Sequence, residues 1–199
     1  MLTGIVHRVV SKPWIYDSVQ KLAGRDQNYR RLAPHLAEAS GKTLLDLGAG
    51  TGECARIVPA STTYIWLDRD PEKLRGFRRK TSDERALLGE AAQIGLKNKS
   101  VDIAVCVAVS HHLADPELRA AFRELARVCR LKLIFLDAVR LESSAVSNFL
   151  WKYDRGSYPR NTEALRAAMA EWFEIEHEER YSIYHHYWLA TGRPKAARL

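Results

Sequence analysis

The sequence predicts an α/β fold built around a mostly parallel sheet, and three observations carry that expectation. Residues 43–47 read as a short apolar strand that breaks into a glycine-rich turn, with a helix expected over 51–58 before Pro59. Residues 62–68 and 86–88 read as two further strands, the first ending at Asp68. Residues 102–109 form a nearly continuous apolar run, which suits a central parallel strand buried on both faces.

Taken from the amino terminus, residues 1–40 read as helical and stand apart from the strand-rich body. Leu2, Ile5, Val6, Val9 and Val10 share one helical face, Pro13 interrupts, and a second piece runs through Val19 and Leu22 to Gly24. A third helix, about 27–39, carries Tyr29, Leu32 and Leu36, with Gly41 as its cap and Pro34 marking a kink or a helix start. Such a segment packs on its own domain as a lid; a basic amphipathic start can also lie on a membrane surface. The expected division is therefore a helical lid or substrate-side segment over 1–40, a main domain over 41–192 and a frayed tail over 193–199.

The turn after the first strand is where the chemistry begins. Its glycines fall at Gly48, Gly50 and Gly52, with Asp46 two residues before the first. Dinucleotide sites instead space their glycines G-x-G-x-x-G. A carboxylate at this point would repel a pyrophosphate, but it suits a ligand with an ammonium group. This D-x-G-x-G-x-G pattern resembles the first motif of the class I S-adenosylmethionine-dependent methyltransferases, of the small-molecule type with a type 11-like domain. The resemblance extends over about residues 40–192. It implies a Rossmann-like, seven-stranded methyltransferase fold: a mostly parallel sheet with an antiparallel last strand and helices on both faces. It also implies S-adenosyl-L-methionine as cofactor, with S-adenosyl-L-homocysteine as product. On that reading Gly48, Ala49, Gly50 and Gly52 hold the methionyl part and Asp46 orients its ammonium. Asp68, beside Arg69, takes the ribose, Glu90 and Ala91 contact the adenine, and Val107 lines the site from the fourth strand.

Several local signals accompany those positions. Asp70 and Pro71 read as the cap and first turn of a helix, which leaves Asp68 for the ribose. Glu90 stands where the family commonly has an aspartate, one methylene shorter. The apolar run ends in Ser110-His111-His112-Leu113, at the edge of the sheet where ligands of open α/β folds bind. Either His111 or His112 can take a proton from a hydroxyl; either can instead brace the loop. Asp115-Pro116-Glu117 opens a helix, and a strand over 131–136 follows without the Pro-Gly-Gly turn usual in the family, so the connection must be tight. Residues 138–160 return to the active edge as a polar and aromatic stretch. Arg140, Tyr153 and Tyr158 there, with Tyr16 from the amino-terminal segment, are the expected acceptor-binding residues. Residues 161–171 read as a helix, and 173–181 with 184–191 as a closing antiparallel hairpin. His185 and His186 read as strand residues, with no metal expected.

Bulk properties bound the partners. The chain has 199 residues and a formal charge of +7, but the excess is interleaved with acids, as in Arg69, Lys73, Arg75 and Arg78 against Asp70 and Glu72. That pattern favours a solvated helix face and makes nucleic acid an unlikely partner. Cys54, Cys106 and Cys129 are odd in number and unpaired in pattern, so they read as thiols in a cytoplasmic protein. No apolar run approaches the ~18 residues of a membrane span, and no signal-peptide pattern opens the chain. The expectation is methyl transfer to a hydroxyl or amine of a small-molecule acceptor. The alternatives are a lipid acceptor at a membrane surface, RNA, or cofactor binding without catalysis. Oligomeric state is not legible.

Overall fold

In the computed structural model, residues 24–79, 85–141, 151, 158–183 and 185–196 are described. The elements in chain order are α1 (Arg25–Ala37), β1 (Thr43–Leu47), β2 (Thr63–Asp68), α2 (Pro71–Arg78), β3 (Ala86–Leu88), β4 (Val101–Val107), α3 (Asp115–Val128), β5 (Cys129–Val139), α4 (Thr162–Ala170), β6 (Phe173–Ser182) and β7 (His186–Pro194). They build one seven-stranded sheet in the order β3-β2-β1-β4-β5-β7-β6. The first five strands pair in parallel, while β7 runs antiparallel to both β5 and β6. The chain order reverses between β1 and β4, so their carboxyl ends open a crevice at the point where such sheets bind ligands.

The two-residue alternation of the strands sorts the core into two layers. Leu45, Leu47, Ala104, Leu133 and Phe135 face α3 and α4, which contribute Leu118, Phe122, Leu125, Leu165 and Met169. Leu44, Trp66, Ile103, Val105 and Ile134 face the other way, against Leu32 and Leu36 of α1 and Phe77 of α2. Each such fully buried Leu or Phe contributes roughly 2–3 kcal/mol of transfer free energy. Helices therefore cover both faces.

Helix α1 is a structural layer of this domain. Beyond its buried leucines, one face of it follows β6 residue by residue. Tyr181 donates to Asn28 Oδ1 at 2.8 Å, Arg31 pairs with Glu179 and stacks 4.2 Å over the Tyr181 ring, and His35 meets His177 with ring centroids 5.4 Å apart. Helical steps of three and four residues match strand steps of two. The described part of the expected lid, residues 24–40, thus packs on the sheet; its remainder, residues 1–23, lies outside the described residues.

Three local expectations are corrected. The helix expected over 51–58 is only a 3-10 turn, Cys54–Arg56. Six residues separate Gly52 from Pro59, and β-branched Ile57 and Val58 occupy the end, too little chain to offset the cost of helix nucleation. The fourth strand stops at Val107 rather than 109, because Ala108 takes a positive φ of 55° and turns the chain. β7 continues to Pro194, which pairs with Phe173, so the first two residues of the expected tail belong to the sheet. The tight connection after α3 is present: Cys129 both caps the helix and opens β5. No helix among the described residues is long and apolar enough to cross a membrane.

Candidate active site

The glycine turn sits at the carboxyl end of β1 and is shaped by close approach. Gly48, Gly50 and Gly52 all have positive φ, between 56° and 79°. A Cβ on Gly48 would lie 2.3 Å from Val109, and one on Gly52 would lie 2.4 Å from Phe77. At Gly50 the nearest atom to such a Cβ is 4.0 Å away, the backbone oxygen of Gly48. The outer two glycines are needed for packing, whereas the middle one faces open space, as a ligand cradle requires. Gly48 and Ala49 donate to the Leu67 carbonyl at 2.8 and 3.0 Å, and Trp66 Nε1 holds the Gly50 carbonyl at 2.9 Å.

Asp68 ends β2 beneath this turn. Its Oδ2 accepts from Gly50 N at 2.9 Å, and its Oδ1 accepts from Asp70 N at 3.0 Å. Lys73 lies 3.5 Å away. A carboxylate offers about four acceptor positions, so capacity for a ribose hydroxyl pair remains. Gly89 N donates to the Asp68 carbonyl at 3.1 Å, which brings the Gly89–Ala91 corner alongside. Ala91 packs half-buried against the core, whereas Glu90 is exposed and closes a turn onto Gln93 N. Arg69 is exposed, and Val107 lies half-buried at the end of β4.

Asp46 is set differently. It is 2 % exposed, and its carboxylate accepts from the Tyr64 hydroxyl and the Cys54 thiol. Burial pushes it from 3.8 up to about 6, against those two hydrogen bonds. Burial, and then the Asp46 charge itself, push the Tyr64 hydroxyl and Cys54 thiol up, so both remain protonated donors. This carboxylate is a buried anion under the turn, enclosed by its own donors.

At the carboxyl end of β4 the chain passes through Ser110–His112, a short 3-10 turn. The His111 ring is buried, and its Nδ1 lies 2.7 Å from Asp137 Oδ1. Asp137, on β5, is fully enclosed. Its Oδ2 accepts from Ser110 N at 2.7 Å and Ser110 Oγ at 2.6 Å, and Ala138 N donates to Oδ1 at 2.8 Å. Burial pushes this carboxyl up, but the His111 charge and the bonds from His111 and Ser110 outweigh it and hold the group below the ordinary range. An ionised Asp137 favours the Nδ1–H tautomer of His111, which leaves the basic lone pair on Nε2. His112 is exposed, its ring centroid 4.2 Å from that of His111. The pair is thereby divided into a held histidine and an outer one.

A strap from residues 158–160 holds this loop. Tyr158 N donates to the His111 carbonyl at 3.0 Å. The Arg160 side chain, 9 % exposed, donates to the carbonyls of Ser110 at 2.8 Å and Leu113 at 2.6 Å and pairs with Asp115 at 2.6 Å. Arg140 N in turn donates to the Arg160 carbonyl at 2.7 Å. Of the expected acceptor residues, Tyr158 is brought to the histidine loop and is 44 % exposed, and Arg140 is exposed beside it. Tyr16 and Tyr153 lie outside the described residues. The sequence reading missed Asp137 as a partner, Arg160 altogether, and the approach of His185, whose ring meets Trp151. A strand-end acid opposite Ser110-His111 was the one available signal. No cluster suited to a metal ion occurs among the described residues.

Comparison with known proteins agrees with this architecture. The family described as "Methyltransferase domain" matches residues 45–135. An uncharacterized methyltransferase of Mycobacterium tuberculosis is 42% identical over 96 residues, 48% of this chain and 38% of that protein. A methyltransferase-like protein of Schizosaccharomyces pombe is 35% identical over 89 residues, 44% of this chain and 34% of that one. The chain thus spans little more than a third of the length of these relatives. Among solved structures, magnesium protoporphyrin IX methyltransferase from Synechocystis PCC 6803 with bound SAH superposes with a TM-score of 0.75 at 18% identity, covering 97% of this chain and 95% of that one. Geranyl diphosphate methyltransferase in complex with SAM gives 0.71 at 12% identity, covering 85% of each chain. At these identities the likeness concerns the fold. The matched stretch ends within β5 and includes the glycine turn, Asp68 and both histidines.

Proposed function

We propose that this chain moves a methyl group from S-adenosyl-L-methionine to a hydroxyl of a small-molecule acceptor. The observation that carries the proposal is the His111–Asp137 pair, 2.7 Å apart at the active edge of a methyltransferase domain. The cofactor fits the residues present: the open space over Gly50 admits the methionyl part, and Asp68 keeps acceptor capacity for the ribose hydroxyls. When bound, it supplies a methyl on a sulfonium sulfur, which departs with the electron pair as a neutral thioether. His111 Nε2 takes the acceptor's hydroxyl proton as the oxygen–carbon bond forms, and Asp137 stabilises the resulting imidazolium. The turn and the strap supply alignment, which in-line displacement rewards.

A small molecule suits the surface better than nucleic acid. Several exposed basic residues among the described ones are paired with acids, as in Arg75–Glu72, Arg166–Glu178, Arg180–Glu163 and Arg193–Glu174. Three buried cysteine thiols suit a reducing compartment such as the cytoplasm.

The test is transfer of label from methyl-tritiated S-adenosylmethionine to a panel of phenols, alcohols and matched amines. Hydroxyl acceptors should be labelled. His111→Gln should lower turnover by about 10²-fold or more with S-adenosylhomocysteine affinity retained, and His112→Gln should do far less. Normal turnover in His111→Gln would remove the base from the account.

A further inference from the structure

The indole nitrogen of Trp151 is buried and has no hydrogen-bond partner among the described residues. A buried donor left unpaired costs about 1–3 kcal/mol, so a site that retains one has a use for it when filled. The indole packs edge-on against two buried histidines, His111 at 5.9 Å and His185 at 5.1 Å between ring centroids. Its location decides its meaning. Trp172 Nε1 likewise has no partner among the described residues, but it precedes β6 at the opposite end of the sheet and packs on the apolar core. Trp151 touches the ring that carries the proposed base.

We propose that Trp151 is a specificity-determining residue whose indole N–H donates to the acceptor's reacting oxygen, so that the site selects hydroxyl over amine acceptors. The inference rests on the reading of His111 as base. An indole N–H can only donate, so the ligand atom it meets must offer a lone pair. A hydroxyl oxygen has two: one accepts from Trp151, the other attacks the methyl carbon, and the proton passes to His111 Nε2. The sulfonium–carbon bond breaks and its electron pair stays on sulfur. A neutral amine has a single lone pair, and spending it on Trp151 would leave nothing to attack the methyl group. Trp151 therefore orients oxygen nucleophiles and silences nitrogen ones.

The test reads the indole N–H directly by ¹⁵N–¹H NMR on the unmodified protein saturated with S-adenosylhomocysteine. The five tryptophan indoles are assigned by sequential connectivity, which needs no variant. Phenol, cyclohexanol and methyl glucoside are titrated against the matched amines aniline and cyclohexylamine. At least one hydroxyl probe should move the Trp151 N–H resonance downfield and slow its exchange with water; a neutral amine that moves it likewise should take no label from methyl-tritiated S-adenosylmethionine, because its one lone pair is then engaged. A Trp151 resonance indifferent to every hydroxyl probe, or an amine that moves it and is methylated as fast as its hydroxyl counterpart, overturns the proposal. Failure of S-adenosylhomocysteine to bind at all would instead overturn the cofactor reading, so the two failures are distinguishable. As a second readout, Trp151→Phe keeps the ring and loses the donor. It should lower kcat/KM for a hydroxyl acceptor by about tenfold, with the pH profile unchanged.

Discussion

Replacing Asp46 by asparagine should stabilise this protein above neutral pH, although it removes a residue of the cofactor motif. The carboxylate is buried and carries no cationic partner among the described residues; its contacts are the Tyr64 hydroxyl and Cys54 thiol. Its pKa rises from 3.8 to about 6 on burial, and each tenfold step is worth about 1.4 kcal/mol. The ionised group thus costs the fold roughly 3 kcal/mol above pH 6. The sign follows from proton counts. Between pH 4 and 6 the folded chain holds a proton that the unfolded chain has released, so this group's contribution to stability falls as pH rises through that window. Above it the penalty is complete; below it the penalty is absent. Asparagine keeps the acceptor oxygen for Tyr64 but brings an N–H₂ that must find partners, at a cost of about 1–2 kcal/mol. The net expectation is a gain of about 1–2 kcal/mol at pH 8 that shrinks to nothing or reverses near pH 4. Urea unfolding followed by circular dichroism at pH 8, 6 and 4.5 measures it. A variant that is less stable by the same amount at all three values would refute the reasoning, since the carboxylate would then be held by its contacts rather than penalised by burial.

Two further perturbations test the supports of the site. Arg160→Met strands two loop carbonyls and should cost about 2–4 kcal/mol, read by urea unfolding, with turnover falling further than stability alone explains. Arg160→Lys should rescue only in part, because a point charge cannot fork between Ser110, Leu113 and Asp115. At the other side of the sheet, burial and the neighbouring His177 hold His35 below the ordinary histidine value, with Glu38 and Glu179 opposing and Lys132 assisting. A histidine depressed in the folded state contributes stability that is lost as pH falls through the ordinary value near 6.5. Hydrogen exchange in α1 should therefore accelerate at pH 5.5 relative to 7.5, and His177→Gln should blunt that change. Equal acceleration in the variant would place the acid sensitivity elsewhere.

What the sequence made legible was whatever is written over short spans. The glycine spacing, the acid ending β2, the Asp70-Pro71 cap and the apolar run of β4 are each specified by neighbours within a few residues, and each appears in the fold. The features that were not legible depend on pairs far apart in the chain. Asp137 acquires its meaning only because Ser110 and His111, 26 or 27 residues earlier, turn onto it. Arg160 acts on carbonyls 47 and 50 residues away, and a carbonyl has no sequence signature. The match of α1 to β6 joins positions about 150 apart, so helical periodicity alone read that helix as part of a lid. The helix after the glycine turn failed for the opposite reason: a familiar motif suggested it, while Pro59 left too little chain to form it.

The central claim is that the Gly48–Gly52 turn and Asp68 form an S-adenosyl cofactor site. It is tested most directly by calorimetric titration of the protein with S-adenosylhomocysteine, with NAD as the control ligand and Asp68→Ala in parallel. The account predicts micromolar binding of S-adenosylhomocysteine, none of NAD, and at least about tenfold weaker affinity in Asp68→Ala through lost ribose hydrogen bonds. Binding of NAD without S-adenosylhomocysteine, or an affinity untouched by Asp68→Ala, would contradict it.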